Sequence, residues 1–176
     1  MIFLGVDPGL TGGVASLSGD GKLITISDYA KDDSGRVCSQ SLSNIISAIK
    51  DFHGGEDIIC CLEKSQAMPG QGVVGMFNYG CTYGITYSTL KLSGAEIIEI
   101  SPQKWKKEFD LNSNKKAGII RTKEDSVEKA IELFPSREAS LRRVKKSGGY
   151  VMLHGRSDAL LIAEYCRRNY NDRIPS

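Results

Sequence analysis

Three carboxylates in this chain stand where carboxylates are costly. Asp7 closes the apolar run MIFLGVD and is followed at once by Pro-Gly and then Thr-Gly-Gly. Glu63 lies near the end of a second apolar run, DIICCLEK, residues 57–64. Asp158 opens a helical pattern, SDALLIAEYCRRN, residues 157–169. Each acid therefore sits at the margin of a core, and a charge there needs a partner. Carboxylates brought together repel, and one stays protonated unless a cation lies among them. Oxygen ligands without thiolates select Mg²⁺ or Mn²⁺. Two such ions about 3.5–4 Å apart form the clamp used for in-line phosphoryl displacement, one activating water and one stabilising the leaving oxygen. His154 lies four residues before Asp158, a spacing that puts both on one face of a helix. An imidazole there can ligate metal or assist a proton transfer. Read singly, each acid has another role open to it. Asp7 can initiate a turn, Glu63 can pair with a lysine, and Asp158 can complement a helix dipole.

The elements that must position these groups are legible in outline. Residues 2–7, 12–18 and 22–29 read as three strands, with SGDGK as a hairpin turn between the last two. Residues 36–53 carry apolar positions at helical spacing and end in Gly54-Gly55. Residues 57–64 read as a central strand with both faces covered. A loop, 65–72, and a long helix from Val73 to about Lys91 follow. Residues 95–101 form a fifth strand, and Pro102 starts a helix anchored by Trp105 and Phe109. Residues 122–134 form a helix with an acidic first turn. Residues 136–149 are basic, end in Gly148-Gly149 and read as a mobile loop before the last helix, 157–169. The expected architecture is α/β: a five-stranded mixed sheet flanked by helices, in one domain spanning 1–176. In such a sheet the first and fourth strands are central, parallel neighbours, so Asp7 and Glu63 reach the same edge.

Composition narrows the class. Of 176 residues, 40% are hydrophobic and 25% charged, which builds a core and excludes a disordered chain. The net charge of +2 is small but unevenly spread. From Lys104 to Lys146 there are 13 Lys/Arg against 7 Asp/Glu, and the remainder is mildly acidic. Such a stretch is either a docking surface for a polyanion or a solvated pair of helices. The cysteines, Cys38, Cys60, Cys61, Cys81 and Cys166, are odd in number and lack CxxC spacing, which suits free thiols in a reducing compartment. Asp7 breaks the opening apolar stretch, and no run reaches the length of a membrane span. A cytoplasmic protein with no membrane association is expected.

Other residues suit a nucleic-acid partner. Lys64, Lys104, Lys106, Lys107, Lys115 and Lys116 can neutralise phosphates, and Arg142, Arg143, Lys145 and Lys146 precede the last helix. Met68-Pro69-Gly70 can insert into unstacked bases or simply cap its own loop. Phe77, Gly80, Gly84 and Tyr87 fall on one helical stripe, for packing on the sheet or across a dimer interface.

Taken together, GVDPGLTGG, CLEKSQAMPGQG and HGRSDALLIAEY resemble the RuvC family of Holliday-junction resolvases, especially its small phage-type members. The resemblance covers roughly residues 1–169. The opening motif is shared with sugar kinases and actin-like ATPases; the three in this order are far more specific. The resemblance implies an RNase H-like fold and a homodimeric endonuclease that cuts two opposed strands of a four-way DNA junction with Mg²⁺ or Mn²⁺. It maps the metal ligands onto Asp7, Glu63, His154 and Asp158. Asp7 is expected to bridge two ions, with Glu63 on one side and His154 and Asp158 on the other, leaving a 5′-phosphate and a 3′-hydroxyl. It also implies a phage-encoded enzyme acting in a host cytoplasm. Two departures stand out. Gly155 occupies the place where many members carry the second ligand of the last pair. Gln66 stands where many carry an aromatic wedge, a role Met68 could take over.

Other functions share parts of this pattern. An RNase H-type nuclease acting on RNA or on branched DNA such as flaps would use the same metal site. A kinase or ATPase needs a second lobe that a chain of this length does not hold. A silent DNA-binding protein would not need all three acids.

Overall fold

Strict alternation along two neighbouring strands decides which way the acids face. A computed structural model describes residues 1–64, 70 and 72–171. In β1 (Ile2–Asp7), Ile2, Leu4 and Val6 enter one core cluster and Phe3 enters the other. In β4 (Ile58–Glu63), Ile58, Cys60 and Leu62 join the first cluster, Ile59 and Cys61 the second. The period of two then turns Asp7 and Glu63 toward the second cluster. The strands are parallel, in register from Ile2 opposite Ile58 to Val6 opposite Leu62. The next residue on each is Asp7 and Glu63.

The main sheet among the described residues is mixed and five-stranded. β2 (Gly13–Ser18) runs antiparallel to β1, and β3 (Leu23–Asp28) antiparallel to β2, with a register shift at Ser16/Leu17. β5 (Glu96–Ile100) is parallel to β4, giving the order β3-β2-β1-β4-β5. α1 (Ser39–Phe52) and α2 (Val73–Leu92) cover the face of Ile2, Leu4 and Val6. The other face is covered by α3 (Pro102–Glu108), α4 (Lys123–Leu133) and α6 (His154–Tyr170), with α5 (Glu138–Leu141) beside them.

α6 is the helix that completes this face. Residues 159–166 are all buried, including Glu164, whose charge is met by Arg167 and Arg168 at 2.8 and 2.7 Å. Gly5 lets α6 rest directly on the backbone of β1: a methyl at Gly5 would fall 2.7 Å from the Cα of Ala163. All five cysteines are free thiols. No helix among the described residues is long and apolar enough to cross a membrane.

The expected strands match to within a residue or two. Three differences are informative. The helix expected over 36–53 begins at Ser39, because Val37 forms an isolated bridge with Lys31 instead. The segment 136–149, expected to be a mobile loop, is folded. A 3₁₀ turn (Pro135–Arg137) leads through α5 into a hairpin of β6 (Arg142–Val144) and β7 (Tyr150–Met152). Gly148 and Gly149, both at positive φ, lie in its connection. Arg142 holds this hairpin, lying 4.2 Å over the Tyr150 ring and pairing with Glu138 and Glu128. The last helix begins at His154, three residues earlier than expected.

Candidate active site

Asp7 and Glu63 end two adjacent parallel strands, and Asp158 on α6 lies near enough for its charge to act on both. The start of α6 is pinned in two ways. A methyl at Gly155 would lie 2.7 Å from the Cα of Gly12, so the helix end is pressed onto the loop that follows Asp7. Arg156 grips Asp28 at the end of β3 with two hydrogen bonds, 2.7 and 2.8 Å. Gly155 has no room for a side chain. Asp158 follows one turn later.

Asp7 and Glu63 each have one oriented donor. The Gly9 amide donates to Asp7 Oδ1 at 3.1 Å. The Trp105 indole Nε1 donates to Glu63 Oε2 at 2.6 Å. The Ser126 hydroxyl donates to the Lys123 carbonyl at 2.9 Å and lies near enough to Asp158 to lower its pKa. Asp158 Oδ1 is nevertheless buried with no hydrogen-bond partner among the described residues.

The three acids feel one another. Burial first, then the Asp158 charge, raises the Asp7 pKa to about 6, against the Gly9 amide, Lys106 and Lys123. Burial, then Asp7, raises Glu63 to about 7, opposed by the Trp105 hydrogen bond; Asp158 adds to the rise. Burial also raises Asp158, opposed by Ser126, Lys106, His154 and Lys123. Among the described residues no group of three or more His, Cys, Asp or Glu stands close enough to ligate an ion. In charge and donor type the set still suits a hard divalent cation: oxygen donors, mutual repulsion and one orphaned carboxylate oxygen.

His154, half-buried, places Nδ1 3.2 Å from the Lys123 carbonyl. With Nδ1 donating, Nε2 is left as the acceptor, the tautomer a metal ligand needs. His154 lines a cavity of about 430 Å³ with Leu10, Thr11, Lys31 and Lys123. Asp158 lines a separate one of about 380 Å³ with Lys106, Arg121, Lys123 and Gln103. Lys123 borders both.

The basic residues divide. Lys106 leans toward the acids and lies 5.2 Å over the Trp105 ring. Lys64, Lys104, Lys107 and Lys116 are exposed. So are Arg143, Lys145 and Lys146 on the hairpin. Arg142 is committed to Glu138, Glu128 and Tyr150. Gln66, Met68 and the side chain of Lys115 lie outside the described residues.

The sequence reading missed Trp105, Lys123 and Ser126 as parts of this site. Trp105 was expected only as an apolar anchor. A buried Trp N–H needs an acceptor, and that requirement was the available signal. Lys123 was hidden inside a helix read for its acidic first turn.

No family model matches the chain, and no curated protein does. Solved structures do. A Thermus thermophilus RuvC structure matches with a TM-score of 0.55 and 17% identity, over 98% of this chain and 96% of that one. T. thermophilus RuvC in complex with Holliday junction substrate matches with a TM-score of 0.59 and 14% identity, over 98% and 95%. The yeast mitochondrial Holliday junction resolvase Ydc2 aligns at 0.46 and 13% identity, over 97% and 81%. At these identities the likeness is one of architecture, and the five-stranded mixed sheet with its flanking helices is the RNase H-like fold of RuvC.

Proposed function

We propose that this chain is a divalent-metal-dependent endonuclease that resolves four-way DNA junctions by paired, symmetric nicks. The observation that carries the reading is the placement of Asp7, Glu63 and Asp158 in one electrostatic neighbourhood, each raised in pKa by burial and the first two by other acids of the set. It is supported by the fold, shared with a RuvC whose structure was solved with junction substrate.

Asp7, Glu63, His154 and Asp158 would hold the metal, two Mg²⁺ or Mn²⁺ ions in this reading. Bound there, the ions would supply an activated water and a counter-charge for the leaving oxygen. The protein's own groups do the rest. The Gly9 amide and the Trp105 indole fix Asp7 and Glu63. The Lys123 carbonyl sets the His154 tautomer. Lys106 and Lys123 offer positive charge to a phosphate that would otherwise be repelled by the acids. Lys64, Lys104, Lys107, Lys115, Lys116, Arg143, Lys145 and Lys146 would track the backbone on either side, with Gln66 and Met68 near the branch point.

Two opposed cuts require two sites, so the active species in this reading is a homodimer. α2 suits that role. Val73, Val74, Phe77 and Leu92 are exposed on it, and open space stands over Gly80 and Gly84. The free thiols agree with a cytoplasmic enzyme, phage-encoded or not.

The test is cleavage of a labelled synthetic four-way junction beside a linear duplex of the same sequence, with Mg²⁺ and with chelator. Symmetric, metal-dependent nicks in the junction alone are expected. Equal cutting of duplex, flap or RNA hybrid would leave a nuclease without junction selectivity. Junction binding without cutting would defeat the catalytic reading.

A further inference from the structure

The segment between α3 and α4 is a built projection. Leu111 is buried at its base. Asn114 and Ile119 form an antiparallel bridge, with amide-to-carbonyl distances of 2.8 and 2.9 Å. The Ala117 amide also donates to the Asn114 carbonyl, and the Arg121 amide to Ser113 Oγ. Asn112 Nδ2 ties the base to the Gln103 carbonyl at 3.0 Å. Gly118, at φ +71°, turns the chain with nothing above it.

This hydrogen-bonded frame holds two large aliphatic side chains in solvent. Ile119 is 43% and Ile120 76% exposed. Their surroundings are basic. Lys116 is exposed on the same turn, and Arg121, Lys106 and Lys123 line the cavity that Asp158 shares. The acids nearby are partly occupied: Asp125 closes the capping box with Thr122, and Glu124 is hydrogen-bonded at the same helix start. An apolar tip with cations on both sides fits DNA better than a protein surface, since apolar wedges enter base steps while flanking cations hold phosphates.

We infer that Ile119 and Ile120 form an apolar wedge that unstacks bases at the branch point beside the cut. The inference rests on the junction-nuclease reading and adds a DNA-opening element distinct from Met68.

The test uses the full-length protein and a four-way junction carrying 2-aminopurine next to the branch point, with chelator for binding and Mg²⁺ for cutting. The parent protein should raise 2-aminopurine fluorescence on binding. Ile119→Ser/Ile120→Ser should bind the junction within about threefold of the parent, abolish the rise, and slow cutting by about tenfold or more; unpaired bases at the branch should restore its rate, because the unstacking cost is then already met. Both positions are exposed, and an unchanged melting temperature checks the fold. Arg121→Ala should flatten the salt dependence of binding by about one phosphate while keeping the rise at saturation. An undiminished rise in the double variant overturns the wedge, as does slow cutting that unpaired bases do not restore. A change in solution mass with the rise intact would make the pair a protein contact. A parent protein that neither binds nor cuts the junction defeats the functional reading itself, and that result precedes any variant.

Discussion

The indole of Trp105 donates to Glu63 at 2.6 Å from beneath the sheet edge, so a fully buried aromatic orients an acid of the candidate site. The bond opposes burial and Asp7, whose net effect still raises the Glu63 pKa to about 7.

Trp105→Phe removes that donor and keeps most of the volume. Glu63 then moves further up, and the low-pH limb of the cleavage profile should shift to higher pH. The Mg²⁺ concentration for half-maximal cutting should rise by about 10–100-fold, as for other groups that orient a metal ligand. A metal titration at two pH values measures both effects. An unchanged profile would detach Trp105 from the site.

Asp7→Asn removes a charge that the metal-free fold disfavours. Cleavage should fall below detection while junction binding changes little. In chelator at pH 8 the variant should melt at or above the parent temperature. Retained cutting would contradict the assignment of Asp7.

Metal-free stability should fall with rising pH. Asp7 and Glu63 hold their protons to about 6 and about 7 in the folded chain, above their ordinary values of 3.8 and 4.5. The folded state therefore binds more protons, and stability drops between roughly pH 4 and 7, by up to about 3 kcal/mol for each acid. The two acids repel each other, so the effects do not simply add. Mg²⁺ should raise the melting temperature more at pH 8 than at pH 5. Melts in chelator that are flat or rise across this range would refute the buried-acid picture.

Gly5→Ala forces a methyl against the backbone of α6. The cost should exceed about 3 kcal/mol, beyond ordinary overpacking, because backbone rather than a side chain must move. Urea unfolding measures it. Gly155→Ala drives the start of α6 off Gly12 and should cost cleavage more than stability, since Asp158 rides on that turn.

Arg142 and Arg143 are neighbours in sequence with different duties. Arg142→Ala should loosen the hairpin and leave the salt dependence of DNA binding unchanged, because its guanidinium is already paired. Arg143→Ala should reduce that salt dependence by about one phosphate and spare the fold. Equal salt effects from both would mean that the ion pairs open on DNA.

The sheet and two of its acids could be read from the chain because alternation and strand order are local signals. Asp7 and Glu63 end apolar runs, and parallel neighbours put such ends together. Trp105 and Lys123 were hidden because their partners lie far along the chain: the indole meets Glu63 across 42 positions. The hairpin at 142–152 was hidden for another reason. Its stability comes from Arg142 on Tyr150 and from ion pairs, while its composition is that of a solvated loop. The start of α6 was misplaced because a glycine in a first turn argues against helix. Gly155 is there for the contact with Gly12, and local propensity yields to that packing.

The seat of α6 on Gly5 also has a consequence in time. The helix that carries Asp158 covers β1 and β4, which are formed from much earlier parts of the sequence. During synthesis on the ribosome, Asp7 and Glu63 emerge long before the helix that must roof them. A nascent or prematurely terminated chain lacking that helix bares the part of β1, β2 and β4 that α6 covers and holds an incomplete set of acids. Proteolytic disposal of such fragments would therefore remove sticky polypeptide in which the candidate site had never been assembled.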